Sequence, residues 1–425
     1  MNKIPTKKSG FNPNWQIKTL GDIFLIERGS SPRPIKSFLT NDNNGINWIK
    51  IGDAKNNSKY IYQSAEKIRP EGKKYSRFVE IGDLILSNSM SFGRPYIMKT
   101  IGCIHDGWVV LRKILKNIIY EEYAYYILSS NQVHSEFSKL AAGSVVKNLS
   151  IDRIKQVYIP IPPLDEQKRI ASALSKIDEY LENTIKLIEE KERFKRGIAK
   201  KLLTCKEGEN IPEARFKGFN DDWRKEKLSS MIKIQGGYAF KSSEFKKSGI
   251  PIIRISNISN TDNNMNMKEV VYYNEIENEK SFIIKKSDLL IALSGAPGKS
   301  SIYNLEEKAY LNQRVGLFKI IDTKKINNSF LSQYVFSSIF QNKLKPFITR
   351  GVQPNISPKD IENLDILLPS LKEQEKIGGY LSLLDKEIDN LKKQKELIKE
   401  MKRGAMQKLL SGEVRLSKNA FNENI

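Results

Sequence analysis

The sequence predicts an α+β protein: two mixed α/β bodies in tandem, each followed by a long helix, with the two helices pairing as an antiparallel coiled coil. Two observations lead to this fold class. The 425-residue chain contains an internal repeat with an offset of 207 residues. Within the best preserved part of each repeat, apolar residues recur at steps of three and four, which is the spacing of one helical stripe.

The repeat is clearest in two segments that align without a gap. Residues 162–204 and 369–411 are identical at 17 of 43 positions. Upstream the similarity is weaker but keeps its order, since Trp15 with Leu20 recurs as Trp223 with Leu228. We therefore expect four segments, namely a first body over 1–161, a first helix over 162–206, a second body over 207–368, and a second helix with a C-terminal tail over 369–425.

Both bodies show short apolar runs separated by loops rich in Gly, Ser, Asn and Pro, the pattern of strands and turns. Helical pieces are expected near residues 121–130 and 329–343. The order of the strands stays open at this point. The predicted strands are residues 46–51, 84–86, 108–111, 251–255, 289–291 and 315–321.

The two gap-free segments, residues 162–204 and 369–411, which we call the tails, read as helices of about 40 residues, each on the order of 60 Å long. Prolines precede both helices, and Ser370 with Glu373 forms a possible capping box. Because neither stripe can be buried by its own helix, we expect the helices to pack on each other; the alternative is that each packs on its own body. The predicted interface residues are Ile170, Leu174, Ile177, Leu181, Ile188, Ile377, Leu381, Leu384, Ile388 and Leu391.

The chain is strongly basic, with 71 Lys and Arg against 49 Asp and Glu and a net charge of +22. Such an excess favours a polyanionic partner, namely DNA, RNA or an anionic membrane surface. The tails carry only +2 and +3, whereas residues 1–161 alone carry +11. The bodies are therefore the expected contact with nucleic acid, and the first body is expected to contribute more of the salt-dependent affinity.

Several kinds of site are excluded by what the sequence lacks. Two cysteines and two histidines are too few and too dispersed for a disulfide scaffold or a zinc site. No glycine-rich phosphate loop occurs, and His105 beside Asp106 is accompanied by no nucleophile motif. No signal peptide is visible and no apolar run approaches a membrane span. We expect a cytoplasmic, non-catalytic protein with no membrane partner and with neither metal nor cofactor of its own.

The two helical tails also carry a recognisable signature. Each opens with Pro-x-Leu-x-Glu-Gln-x-x-Ile and closes near Lys-Leu-Leu, and each follows a body that differs from the other. This arrangement resembles the specificity subunit of type I restriction–modification systems. Residues 212–216, leading into Phe219 and Trp223, and residues 236–242 are similar to the family as well. The resemblance covers nearly the whole chain.

The resemblance implies a function. Each body would be a target-recognition domain that reads one half of a split, asymmetric target in double-stranded DNA. The helices would fix the spacing and dock two modification (methyltransferase) subunits, and restriction (translocase and nuclease) subunits would join them. S-adenosylmethionine, ATP and magnesium would belong to those partners. The alternatives are a duplicated coiled-coil adaptor that binds proteins rather than DNA, and a self-sufficient nuclease or methyltransferase, which would need a metal cluster or cofactor loop.

Candidate DNA-contacting residues are polar side chains in loops that flank predicted strands at matched places of the two halves. For each of them, a solvated surface or a turn is the competing interpretation. The candidates are Arg28, Ser30, Arg33, Asn88, Ser89, Arg94 and Lys147 in the first body, and Tyr238, Lys241, Arg254, Asn257, Ser294, Lys299, Gln313, Arg314, Arg350, Gln353 and Asn355 in the second.

Overall fold

A computed structural model of the chain describes residues 11–54, 58–88, 93–115, 117–142, 150–206, 208–258, 265–276, 281–348 and 354–416. The chain divides into two compact units. Unit 1 combines Met1–Thr184 with Gln394–Ile425, and unit 2 is Ile185–Lys393. Both long helices contribute to both units. The division into four segments by residue number stays a prediction.

Unit 1 holds twelve of the described strands and the first helices. Its strands are β1 (Gln16–Thr19), β2 (Phe24–Arg28), β3 (Leu39–Thr40), β4 (Ile46–Ile49), β5 (Tyr60–Ile61), β6 (Glu66–Ile68), β7 (Arg77–Val79), β8 (Leu84–Ser87), β9 (Pro95–Met98), β10 (Gly102–Ile104), β11 (Trp108–Lys113) and β12 (Tyr158–Ile161). Its helices are α1 (Leu20–Ile23), α2 (Glu121–Leu128), α3 (Asn131–Ala142), α4 (Ile151–Lys155) and the first half of α5 (Leu164–Leu203).

Unit 2 repeats this series with fewer strands. They are β13 (Arg224–Lys227), β14 (Ile232–Gly236), β15 (Ile250–Ile253), β16 (Val271–Tyr273), β17 (Ile283–Ile284), β18 (Leu289–Ala292), β19 (Ser300–Ile302), β20 (Ala309–Leu311), β21 (Val315–Ile320) and β22 (Asp365–Leu368). Its helices are α6 (Asn328–Phe336), α7 (Ser338–Leu344), α8 (Pro358–Glu362) and the first half of α9 (Leu371–Ser411).

The sheets have matching strand orders in the two units. Unit 1 has five-stranded sheets β2-β11-β8-β9-β5 and β3-β6-β4-β10-β7, and unit 2 has four-stranded sheets β14-β21-β18-β19 and β16-β15-β20-β17. In each unit the second sheet contains one parallel pair, β4 with β10 and β15 with β20. A two-stranded sheet pairs the first strand of each unit with the strand before the long helix, β1 with β12 and β13 with β22. Unit 2 thus lacks described counterparts of the edge strands β3 and β5.

All six predicted strands are found with bounds shifted by one or two residues, and the clearest differences are two strands that end two residues early and one helix that is divided. The strand predicted over 46–51 ends at Ile49, because the Asp53 carboxylate accepts a hydrogen bond from the Lys50 N–H and turns the chain into a 3-10 helix. The strand predicted over 251–255 ends at Ile253 through the matching Asn257 bond to Arg254. The helix predicted over 329–343 is two helices, because Ser337 is extended and caps α7.

The long helices pack antiparallel in both units, as predicted. In unit 2 the second half of α5 pairs with the first half of α9, where Lys191 and Glu387 form an ion pair of 2.8 Å and Lys195 pairs with Asp385. In unit 1 the first half of α5 pairs with the end of α9 through Asp178 and Lys402. Residue numbers thus rise along α5 from 178 to 195 while those of the partners on α9 fall from 402 to 385, as in an antiparallel pair.

The predicted apolar stripes serve two purposes. Their first turns enter the globular cores: Ile170 and Leu174 are buried in the core of unit 1, and Ile377, Leu381 and Leu384 in that of unit 2. The middle of the stripes lies between the helices, where Ile188 and Ile388 are buried. Helix–helix packing and packing on a body therefore both occur. The remaining stripe residues, Ile177, Leu181 and Leu391, are half-buried.

Candidate nucleic-acid interface

Each unit gathers loops from both of its larger sheets at one end. The first loop leaves β2 at Gly29, whose N–H donates to the Trp108 carbonyl at 2.8 Å. A Cβ at Gly29 would lie 2.1 Å from the His105 carbonyl, and one at Gly237 would lie 2.0 Å from the Leu311 carbonyl. Only glycine permits this approach. The exit loops 28–36 and 236–242 are therefore held against the turns before β11 and β21.

In unit 1, Asp106 connects the turn before β11 to the exit loop 28–36. Its carboxylate accepts a hydrogen bond of 2.8 Å from the Ser31 hydroxyl and lies 3.7 Å from the Arg33 guanidinium, while its carbonyl accepts from Arg28 Nε at 3.1 Å. Burial raises the pKa of Asp106, but the Ser31 hydrogen bond and the cationic neighbours outweigh it and leave the pKa below its ordinary value. Asp106 thus contacts two of the predicted arginines, Arg33 through its ionised carboxylate and Arg28 through its carbonyl. Sequence reasoning noticed Asp106 only as the neighbour of His105.

Neighbouring loops complete this end of unit 1. The Ser30 hydroxyl donates to the Tyr75 carbonyl at 2.6 Å. Arg77, which the sequence did not single out, pairs with Glu27 at 2.8 Å, and its side chain is 39% exposed. Asn88 is only 2% exposed, and its N–H donates to the Gly107 carbonyl in the turn before β11 at 2.7 Å. Arg94 is half-buried. Ser89 and Lys147 lie outside the described residues.

In unit 2 the exit loop is fixed by the backbone of Tyr238, whose N–H donates to the Leu311 carbonyl and whose carbonyl accepts from the Gln313 N–H. The Tyr238 side chain is 47% exposed. Lys241 is exposed and lies 3.6 Å from Glu244, and Gln313 and Arg314 are exposed on the facing turn. Tyr238 and Gln313 are thus joined through the backbone, and Lys241 and Arg314 follow them on the exit loop and the facing turn.

The other predicted residues of unit 2 are mostly turned inward. Asn257 is fully buried; it accepts from the Arg254 N–H and donates to the Asn266 carbonyl, so its amide is a structural group. Arg254 donates to the Glu269 carbonyl. Ser294 and Asn355 form a β-bridge, and Lys299 is half-buried. Arg350 and Gln353 lie outside the described residues.

The two ends differ in their aromatic content. Unit 1 has a cavity of about 950 Å³ beside Pro32, Trp48 and His105, with Arg33 among its basic lining residues. In unit 2 the residue three positions after the matched glycine is Phe240. Its ring stacks on Tyr310 at 5.6 Å and packs against other rings of the second sheet. One framework therefore presents two chemically different surfaces.

The helix joints, meaning the hydrogen bonds that fix the first turn of each long helix to the preceding globular part, are by contrast nearly identical in the two units. Gln167 is 1% exposed; its amide nitrogen donates to the Ile118 and Pro162 carbonyls, and its oxygen accepts from the Tyr120 N–H. Gln374 makes the same three bonds at 2.9 to 3.0 Å. Its partners are Lys325, Pro369 and Asn327. The glutamine of the repeated signature is thus a structural residue that satisfies backbone hydrogen-bonding groups.

The adjacent glutamates each bind one arginine. Both oxygens of Glu373 accept from Arg215 at 2.8 Å, and both oxygens of Glu166 accept from Arg415 at 2.8 Å. Only one of the two hydrogen bonds of the capping box predicted at Ser370 therefore forms. The Ser370 hydroxyl accepts from the Glu373 N–H at 3.4 Å, but the Glu373 carboxylate is directed to Arg215.

Other chemistry is sparse in the described parts of the chain. There, no group of three or more His, Cys, Asp or Glu side chains is placed to hold a metal ion. Cys103 is buried and Cys205 half-buried, and both are free thiols. Over those same residues, no helix is long and apolar enough to cross a bilayer.

The sequence profile of the type I restriction modification DNA specificity domain matches this chain twice, over residues 12–190 and 220–400. The chain belongs to this family. It is 27% identical to the type I restriction enzyme MjaVIII specificity subunit of Methanocaldococcus jannaschii, across 96% of this chain and 95% of the relative. It is 22% identical to the EcoBI specificity subunit of Escherichia coli, across 89% and 82%.

A solved structure has the same fold. The crystal structure of the type I restriction–modification S subunit from M. genitalium superposes with a TM-score of 0.59 over 96% of this chain and 98% of that chain, at 18% identity. The resemblance inferred from the helical signature is therefore confirmed, and so is the predicted fold class.

Proposed function

We propose that this chain is the DNA-recognition subunit of a type I restriction–modification complex, in which each unit reads one part of a bipartite, asymmetric target. The observation that carries the proposal is the double match to a DNA specificity domain within one chain. Because that family recognises sequence, the chain contributes recognition and the chemistry belongs to other subunits. Soluble assembly in the cytoplasm follows from this function.

The charge and geometry of the loop ends support DNA contact. Exposed Arg28 and Arg33 in unit 1, and exposed Lys241 and Arg314 in unit 2, lie beside polar groups suited to base edges. The adaptor alternative leaves these matched basic loops without a purpose, whereas DNA recognition uses them and explains why the two surfaces differ. Asn88 and Asn257 are left out of the proposed contact surface because they are buried.

The paired helices support docking of two modification subunits. Besides their buried stripes they expose large apolar side chains: Tyr180, Leu187 and Phe194 follow each other at steps of seven on α5, and Leu383 and Leu397 are exposed on α9. A row of exposed apolar side chains along one face of a helix is typical of a protein contact. Restriction subunits would join this core, and the partners would supply S-adenosylmethionine, ATP and magnesium.

The test combines the chain with its cognate modification subunits and maps methylated sites. Inserting seven residues after Thr184 in α5 and seven after Lys393 in α9 adds about 10 Å of paired helix, which is roughly three base pairs of spacer. We expect methylation of the same two half-sites at a longer separation. A complex that assembles and methylates the unchanged target would reject the role of the helices in spacing.

Salt-independent association with DNA would reject recognition by the basic loops.

A further inference from the structure

The extra strand β5 of unit 1 is an internal example of strand addition. It pairs parallel with β9, which would otherwise be the edge of its sheet. The Ile97 N–H donates to the Lys59 carbonyl at 3.0 Å, and the Lys99 N–H donates to the Ile61 carbonyl at 2.9 Å. The segment is thus held by backbone bonds that depend little on its sequence.

Side chains of the same segment fill the space between β9, α2 and α5. Lys59 is 12% exposed, donates to the Ser175 hydroxyl at 2.8 Å and lies 3.5 Å from the Glu122 carboxylate. The Tyr60 hydroxyl donates to Glu122 at 2.6 Å. In unit 1 this place is therefore occupied by the protein itself.

The same place in unit 2 is an open cleft of about 930 Å³. With the repeat offset of 207, Glu122 and Ser175 correspond to Ser329 and Ser382, and both serines line the cleft. Ile302 of β19 also lines it, and it stands where Ile97 stands in β9, since each pairs with the first residue of the neighbouring strand. Among the described residues, no strand pairs with the outer side of β19.

The cleft is lined by six basic and three acidic side chains, the acidic ones being Glu192, Asp385 and Asp389, and its net charge is positive. Two of its lysines are neutralised locally, Lys195 by Asp385 and Lys392 by Glu192. Its remaining cations are exposed, and within the described ranges none of them has an acidic side chain at ion-pair distance. These cations are Arg196, Lys200, Lys345 and Lys386.

We propose that this cleft binds an extended acidic segment of a partner protein, which adds to β19 as a parallel strand in the way β5 adds to β9. The sheet edge would supply backbone hydrogen bonds, and the cleft cations would select acidic side chains. A peptide fits these observations better than DNA does, because a strand edge recognises a peptide backbone and unit 1 already shows that pairing. The proposal stands apart from DNA recognition by the loops.

The probe is a fluorescein-labelled peptide with the sequence of residues 58–62 and glutamate in place of Lys59. Its binding to the full chain is followed by fluorescence anisotropy. Three further probes are the lysine-containing peptide, the glutamate peptide N-methylated at isoleucine, and a 20-base-pair duplex as competitor. The chain is tested as wild type, as the double variant Lys345→Glu with Lys386→Glu, and as Lys233→Glu, an exposed lysine on β14 away from the cleft.

We expect saturable binding of the glutamate peptide. The double variant should weaken it about tenfold, N-methylation should weaken it to a similar degree, and Lys233→Glu should leave it unchanged. Circular dichroism establishes that the variants remain folded. Absence of saturable binding, or binding indifferent to both N-methylation and charge reversal, would overturn the proposal. Competition by the duplex that the double variant abolishes would assign the cleft to nucleic acid instead.

Discussion

Units 1 and 2 are most alike where a long helix meets its globular part and least alike at the ends that gather the loops. Gln167 and Gln374 bind the same three backbone positions. By contrast, Pro32 lines a cavity in unit 1, whereas Phe240 is stacked on Tyr310 in unit 2. The duplication has kept the side chains that satisfy backbone groups and varied those of the exit loops.

The largest expected effect separates the buried and exposed faces of α9. Leu381 is fully buried in the core of unit 2, so Leu381→Ala should lower the free energy of unfolding by about 2–5 kcal/mol. Leu397 is 65% exposed, and Leu397→Ala should change it by less than about 0.5 kcal/mol. Urea denaturation measures both. Similar losses for the two variants would mean that the exposed face is also packed.

The likeness of the helix joints is tested by the two glutamines. Gln167→Ala and Gln374→Ala should each lower the free energy of unfolding by about 1–3 kcal/mol, because each leaves buried backbone groups unpaired. Gln407→Ala, at an exposed position of α9, is the matched control. The same denaturation measurement applies. A cost confined to one of the two glutamines would show that the joints are alike in geometry but not in energy.

The difference between the loop ends is tested by neutralising one arginine in each. Arg33→Ala and Arg314→Ala should each reduce the slope of log affinity against log salt by about one. Each should also relax specificity in only one half of the target, with Lys233→Ala as control. Affinity titrations against salt and sequence selection measure this. Relaxation of both halves by one variant would break the assignment of one half-site to each unit.

The smallest expected effect concerns the filled cleft of unit 1. Burial is the main cause that lowers the pKa of Lys59 below its ordinary 10.5, against the opposing effect of Glu122. Unfolding therefore takes up a proton at pH values between the lowered pKa and 10.5, and this site makes the protein more stable as pH rises through that window. Lys59→Met should remove that rise, whereas Lys233→Met should retain it. Unfolding free energies measured across the window decide the matter.

The helical stripes and the repeat predicted the two long helices, their antiparallel packing and the correspondence between the two units, because both patterns can be read directly from the sequence. The strand order was not predictable, since it depends on pairings between distant residues. Asn257 looked like a surface loop residue because its polarity is visible in the sequence and its capping of Arg254 is not. Asp106 contacts Arg33, and Glu373 contacts Arg215. The partners in each contact are far apart in sequence, and no local pattern marks either contact.

The pairing of Glu166 with Arg415 has a consequence for the order of events during synthesis. Unit 2 is one continuous stretch of chain, whereas the core of unit 1 includes Leu409 and Leu410 from the end of α9. On the ribosome, unit 2 can close as soon as its own residues have emerged. Unit 1 must wait, with part of its apolar core uncovered, until residues 409–416 have been made. The half translated first is therefore completed last, and in that interval it depends most on chaperones.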